Sequence, residues 1–139
     1  MYFWNLQNLK QDIKENKLTE KDYFNYFFGT TIIGSLGIFI LTTHPIGLEN
    51  VIITNELFVL LVTTLGTYYS FKCNKGENGK NFLGKFTSIS FICLIKYIVI
   101  VSTIEIFLEL NTLTNYLATA LYVAYFYYVG KNLKELTDY

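Results

Sequence analysis

Arginine is absent from this 139-residue chain, proline and histidine occur once each, and cysteine occurs twice. Charge of either sign is scarce: 16% of residues carry it, against about 25% in soluble domains. Each shortage excludes something. Eleven lysines are matched by eleven acids, so the formal net charge is zero and no basic face is set aside for nucleic acid. Cys73 falls in a lysine-rich connection and Cys93 in an apolar run, so a disulfide between them is not expected. Two cysteines and one distant histidine also make no metal site. There is no nucleophile–base–acid set and no dinucleotide-binding loop. The apolar segments contain neither His nor Asp, one of which an intramembrane hydrolase would need. The expectation is a non-enzymatic protein with no cofactor.

What the chain has in quantity is apolar surface, 52% of residues, with 18% aromatic. A soluble chain this short buries only about two-thirds of its surface, too little for such a composition. Lipid removes the conflict. Four apolar stretches, at about 24–42, 51–71, 86–109 and 113–129, each approach the 17–25 residues a helix needs to cross the hydrocarbon. Runs such as VIITNELFVLLVTTLG do not alternate, which argues against a barrel. The reading is all-α: a single membrane domain, 1–139, forming a four-helix bundle. The first stretch follows a charged, helix-forming segment with no small-residue cleavage site, so it is not read as a signal peptide.

Orientation comes from the lysines. Lys10, Lys14, Lys17 and Lys21 precede the first span; Lys72, Lys75, Lys80 and Lys85 lie in the 72–85 connection; Lys131 and Lys134 follow the last span. The other side carries Glu49, Glu56 and Glu109, with Glu105 close by. That asymmetry over short loops predicts both termini and the 72–85 loop in the cytoplasm. The aromatic clusters YFNYFF, YYSF and YFYY fall at the same ends of the spans, where rings favour the interface. His44, in the outer loop, is a titratable group with no partner in view.

Residues 1–18 place Phe3, Leu6, Leu9 and Ile13 at near-helical spacing, with Trp4 near the start. This predicts an amphipathic helix lying on the inner leaflet, or else packed on a cytoplasmic partner. Thr19 then reads as an N-cap, with Asp22 completing a capping box. Small residues at Thr30 and Gly34, and again at Ala120 and Ala124, are spaced for close helix packing in lipid.

The loop FKCNKGENGKNFLGKF joins turn-forming glycines and asparagines to lysines. Lys72, Lys75, Gly76, Asn78, Gly79, Lys80 and Lys85 are candidates for an anionic lipid or other anionic ligand, although topology alone also explains the lysines. No P-loop spacing is present. The combination of NGKNFLGKF with ENKLTEKDYFNYFF upstream resembles a group of small bacterial inner-membrane proteins carrying an N-G…G-x-x-F-L-x-R/K loop. The resemblance spans about half the chain, with lysine here where arginine is commoner. It implies a four-span fold in the bacterial inner (cytoplasmic) membrane and no particular activity.

The intramembrane polar candidates are Lys96, Glu56, Glu105 and Tyr122. If the third span enters at Phe86, Lys96 lies about 15 Å deep. A charge there costs roughly 2.5–3.5 kcal/mol and demands a partner. With spans two and three as antiparallel neighbours, Glu56 is the expected partner, about 7 Å further out, and Tyr122 comes near the same level. Glu105, nine residues on in the same helix, faces the other way. Two functions compete. One is an accessory or regulatory membrane protein acting through a protein partner or its own oligomer. The alternative is an oligomeric ion or proton channel with Lys96 and Glu56 in its path.

Overall fold

A computed structural model of the chain describes residues 1–43, 49–108 and 112–137. It is all-α: α1 (Leu6–Lys14), α2 (Glu20–Thr43), α3 (Glu49–Cys73), a 3-10 turn at Gly76–Asn78, α4 (Phe82–Leu108) and α5 (Thr112–Thr137). Among the described residues, one helix is long and apolar enough to cross a membrane, over Phe82–Ile104 of α4, at mean hydropathy 2.0. A shorter apolar stretch occupies Leu57–Cys73 of α3. His44 and Glu109 lie outside the described residues.

The N-terminal boundaries follow from local chemistry. Asn5 caps α1 by accepting from the Asn8 N–H at 3.0 Å, and Asn16 leaves the helix at φ +51°. The Thr19–Asp22 capping box forms: the Thr19 N–H donates to Asp22 Oδ2 at 2.9 Å, and the Asp22 N–H donates to Thr19 Oγ1 at 3.3 Å. The Thr19 hydroxyl donates to Asp22 Oδ2 as well, at 2.6 Å, and the hydroxyl and N–H bonds together hold the Asp22 carboxyl below the usual carboxylate range.

The long helices lie in the order α2, α4, α5, α3, with α1 across α4 and α5. Contacts fix their directions. Along α3 and α5, Thr63 meets Tyr122, Gly66 meets Phe126 and Cys73 meets Thr137, so these helices run parallel in register. Tyr23 beside Gly84 and Tyr26 against Phe91 make α2 and α4 parallel likewise. Between them α4 and α5 are antiparallel, with the Tyr97 hydroxyl donating to the Ala118 carbonyl at 3.2 Å. The expected pairing of the second and third spans is therefore corrected: α5 stands between α3 and α4, which meet at the C-terminal end of α3 and the N-terminal end of α4 through Phe71 and Phe82.

Two glycines make the α3–α5 approach. A Cβ on Gly66 would sit 2.2 Å from Phe126 Cγ, and one on Gly130 would sit 2.3 Å from Tyr69 Cε1. The small residues expected to serve this purpose do not. A Cβ on Gly34 would meet nothing within 4 Å, and Ala120 and Ala124 are exposed.

The buried core sits toward the lysine-rich end. Leu6, Leu9 and Ile13 of α1 pack among Ile89, Ile92, Val129, Leu133 and Leu136. The apolar face of α1 is thus covered by this chain's own α4 and α5. Neither a leaflet nor a separate partner is needed to cover it. A nine-residue helix is marginal in isolation, and this packing is what holds it.

Candidate functional site

Four turns into α4, the Lys96 side chain is half-buried, and its ammonium stands 5.5 Å from the centroid of the Trp4 ring. An ammonium over an indole face is a favourable cation–π pair, worth about 0.5–1 kcal/mol where exposed. Trp4 is held by its neighbours. Phe3 meets Phe91 edge-on at 5.7 Å, and the Tyr2 N–H donates to the Tyr26 hydroxyl at 2.7 Å. The Tyr2 hydroxyl donates to Asp12 Oδ2 at 2.7 Å, a bond that raises the phenol's pKa because ionisation would destroy it. The N-terminal segment is laid along α2 and α4 by these contacts, and Lys96 meets its ring at the far end.

Of the two expected partners of Lys96, Tyr122 is described and turns to α3. No ion pair to Lys96 forms among the described residues. Glu56 belongs to α3 and Glu105 to α4, but their side chains lie outside the described residues. Tyr122 faces α3, with its hydroxyl 3.1 Å from Thr63 Oγ1 and its ring against Tyr97, Tyr125 and Phe126. It bonds α5 to α3.

Along the same furrow between α4 and α5 runs an open cavity of about 460 Å³. Cys93, Lys96 and Ile100 wall it on α4, and Leu121, Ala124 and Tyr128 wall it on α5. Cys93 is buried, and the Tyr125 hydroxyl reaches the Ser90 carbonyl at 3.5 Å beneath the floor.

The second polar cluster lies where α1 crosses α5. Lys10 is 6% exposed, and its ammonium donates to Asn132 Oδ1 at 3.1 Å and to the Glu135 carboxylate. Asn132 is fixed in turn by donating to the Tyr128 carbonyl at 2.7 Å. The hydrogen bond from Lys10 holds the Glu135 carboxyl below its ordinary range. Sequence reasoning missed Lys10, although a signal existed. Leu6, Leu9, Lys10 and Ile13 are spaced i, i+3, i+4, i+7, so the lysine lies on the apolar stripe.

The 72–85 loop is more committed than its composition implied. Lys75 adopts φ +67° and its ammonium donates to the Thr137 carbonyl, closing the C-terminal end of α5. Lys72 lies 5.4 Å over the Tyr68 ring. Gly76 has φ +56°, whereas Gly79 is required by proximity, since a Cβ there would sit 1.7 Å from the Asn74 carbonyl oxygen. Asn78 and Lys80 remain exposed, and Lys85 is half-buried. Among the described residues no group of three His, Cys, Asp or Glu side chains is arranged to hold a metal.

No family model, characterised protein or solved structure matches this chain.

Proposed function

We propose that this chain is an integral protein of the bacterial cytoplasmic membrane, with four spans and both termini inside, acting without catalysis as an accessory to a membrane or cytoplasmic partner. Its surface supports the membrane part. The accessible area is 9427 Å² for a 16.1 kDa chain, where a compact soluble monomer of that mass exposes about 7,400 Å². Large apolar side chains stand exposed along all four long helices, among them Phe27 and Ile32 of α2, Leu57 and Leu61 of α3, Val99 and Phe107 of α4, and Tyr116 and Val123 of α5. At 24 to 27 residues, the four long helices are about 36–40 Å long, enough to cross a hydrocarbon layer of about 30 Å. The placement of ten lysines at one end supports the orientation.

Trp4 also bears on why a lysine stands in an apolar run. Indole rings favour polar–apolar boundaries, and the Trp4 indole stands at the level of Lys96. A lysine stem in a helix leans back toward the helix N-terminus, here the cytoplasmic side, and the charge snorkels.

The observation that carries the accessory reading over a channel is the setting of Lys96, which makes no ion pair among the described residues. Its ammonium faces an aromatic ring, Cys93 beside it is buried, and α5 separates it from α3. A polar path needs more than one wet group. Purified protein in liposomes is expected to give no proton or potassium flux above empty vesicles, with or without Lys96→Met. Flux that Lys96→Met abolishes would overturn the reading. A photo-crosslinker at the exposed Lys80 is expected to yield one discrete protein adduct in cells, and its absence at every exposed cytoplasmic position would count against a partner.

A further inference from the structure

The furrow between α4 and α5 is filled over only half its length. Its inner half holds α1, with Leu9 and Ile13 set against Ile89, Ile92, Val129 and Leu133. Where α1 stops, the furrow continues as the open cavity of about 460 Å³. Cys93 belongs to both halves, packing in the core below and lining the cavity above. The walls beyond it are apolar, through Ile100, Leu121 and Ala124. At the boundary between the halves stand Lys96, without an ion pair among the described residues, and Trp4, which is 58% exposed.

An apolar trough with a cation and an indole at one end has the polarity of an anionic amphiphile. In a bilayer such a trough fills with lipid tails whatever its ends carry. The fixed ammonium turns filling into selection, because a phosphate without a balancing ammonium pairs with it and a zwitterionic headgroup does so less well. The direction also fits. The cation lies at the end toward α1 and the lysine-rich loop, where an inner-leaflet headgroup would be, and the trough runs from there toward the middle of the membrane.

We propose that this half-furrow binds one anionic phospholipid of the inner leaflet, its phosphate on Lys96 beside Trp4 and one acyl chain along the trough toward Ile100 and Leu121. The inference rests on the membrane reading above. It assigns the selectivity to Lys96, and the 72–85 lysines have no part in it.

Trp4 is the sole tryptophan and therefore a built-in reporter. The full chain is reconstituted in phosphatidylcholine vesicles with either dibrominated phosphatidylglycerol or dibrominated phosphatidylcholine, and quenching of Trp4 is titrated. The expected result is a preference for the anionic lipid of about fivefold, the worth of one lysine beside an anionic headgroup. Lys96→Met is expected to remove the preference while leaving quenching by both lipids, which shows the chain still folded and inserted. Lys96→Arg and Lys131→Met are expected to keep it. Ala124→Phe, which fills the trough without touching the charge, is expected to lose it. A preference that survives Lys96→Met or Ala124→Phe would overturn the proposal, as would equal quenching by both lipids in the unaltered protein. Quenching that appears only when protein is diluted in the bilayer would mean that a second copy covers the trough, and would also overturn it. Absence of quenching by either lipid at every dilution would instead strike the membrane reading itself.

Discussion

Replacing Gly66 with Ala tests the helix order, on which the reading of Lys96 depends. A Cβ at Gly66 falls 2.2 Å from Phe126 Cγ and 2.6 Å from both Cδ atoms, where ordinary contact begins at 3.4 Å. Because the three nearest atoms include the root of the ring, turning Phe126 about its own axis does not clear them. The helices must separate by on the order of 1 Å, or Phe126, 6% exposed, must leave its rotamer. Overpacking of this kind costs about 1–3 kcal/mol. Alanine also gains up to about 1 kcal/mol over glycine in helix propensity, which blurs a single measurement. Gly34→Ala supplies the correction, since it gains the same propensity and its Cβ meets nothing within 4 Å. The difference between the two variants is the clash alone, and Gly66→Ala should be the less stable by about 1–3 kcal/mol. Reversible unfolding in mixed micelles, followed by far-UV circular dichroism, gives both numbers. Equal stabilities would refute the packing of α3 on α5. They would also reopen direct contact between α3 and α4, and with it an approach of Glu56 to Lys96.

Two further outcomes follow from the docking of α1. Leu9 is fully buried, so Leu9→Ala should cost about 2–5 kcal/mol. Because α1 is short, the loss should appear as faster amide exchange across residues 6–14 with little change in α4, whereas unchanged exchange would show that α1 is not held by this contact. The Lys10–Glu135 pair predicts a pH response. The Glu135 carboxyl titrates lower in the folded chain than when unfolded, so its contribution is present above the ordinary carboxylate pKa and is lost as pH falls through the depressed folded value. Protection of α1 should therefore decline on acidification through that window, and Lys10→Met should flatten the Glu135 part of the decline. An identical pH profile in Lys10→Met would contradict the pairing.

Much of the local structure is legible in the sequence, and its limits are instructive. The amphipathic period within residues 1–18 predicts a helix, which forms over the shorter stretch Leu6–Lys14, and Thr19 with Asp22 predicts the start of α2, because caps and periods depend on residues a few places apart. The all-α class follows from the long apolar stretches for the same reason. Lateral order is different. Hydropathy says how much of a helix is apolar and nothing about which neighbour its stripe faces, and connectivity suggested α3 beside α4. The structure inserts α5 between them through Gly66 and Gly130, whose value lies in the opposing rings of Phe126 and Tyr69. Gly34, four residues from Thr30, has the small-residue spacing, and its Cβ would meet nothing within 4 Å. The site shows the same division. Lys96 is conspicuous in an apolar run, yet the group it faces, Trp4, lies 92 residues away in the sequence. Lys10 was hidden because a lysine in an amphipathic helix is assigned by default to the wet face. Its acceptors, Asn132 and Glu135, lie at the opposite end of the chain.

The central claim is that the row of helices crosses a membrane with its lysine-rich end inside. Single cysteines at His44, Lys80 and Lys131, in a chain with Cys73 and Cys93 replaced by serine, test it through a membrane-impermeant maleimide. The account predicts that His44→Cys is labelled in intact cells, while Lys80→Cys and Lys131→Cys react only after the membrane is opened. Labelling of Lys80→Cys or Lys131→Cys in intact cells, or recovery of the chain from the soluble fraction, would contradict it.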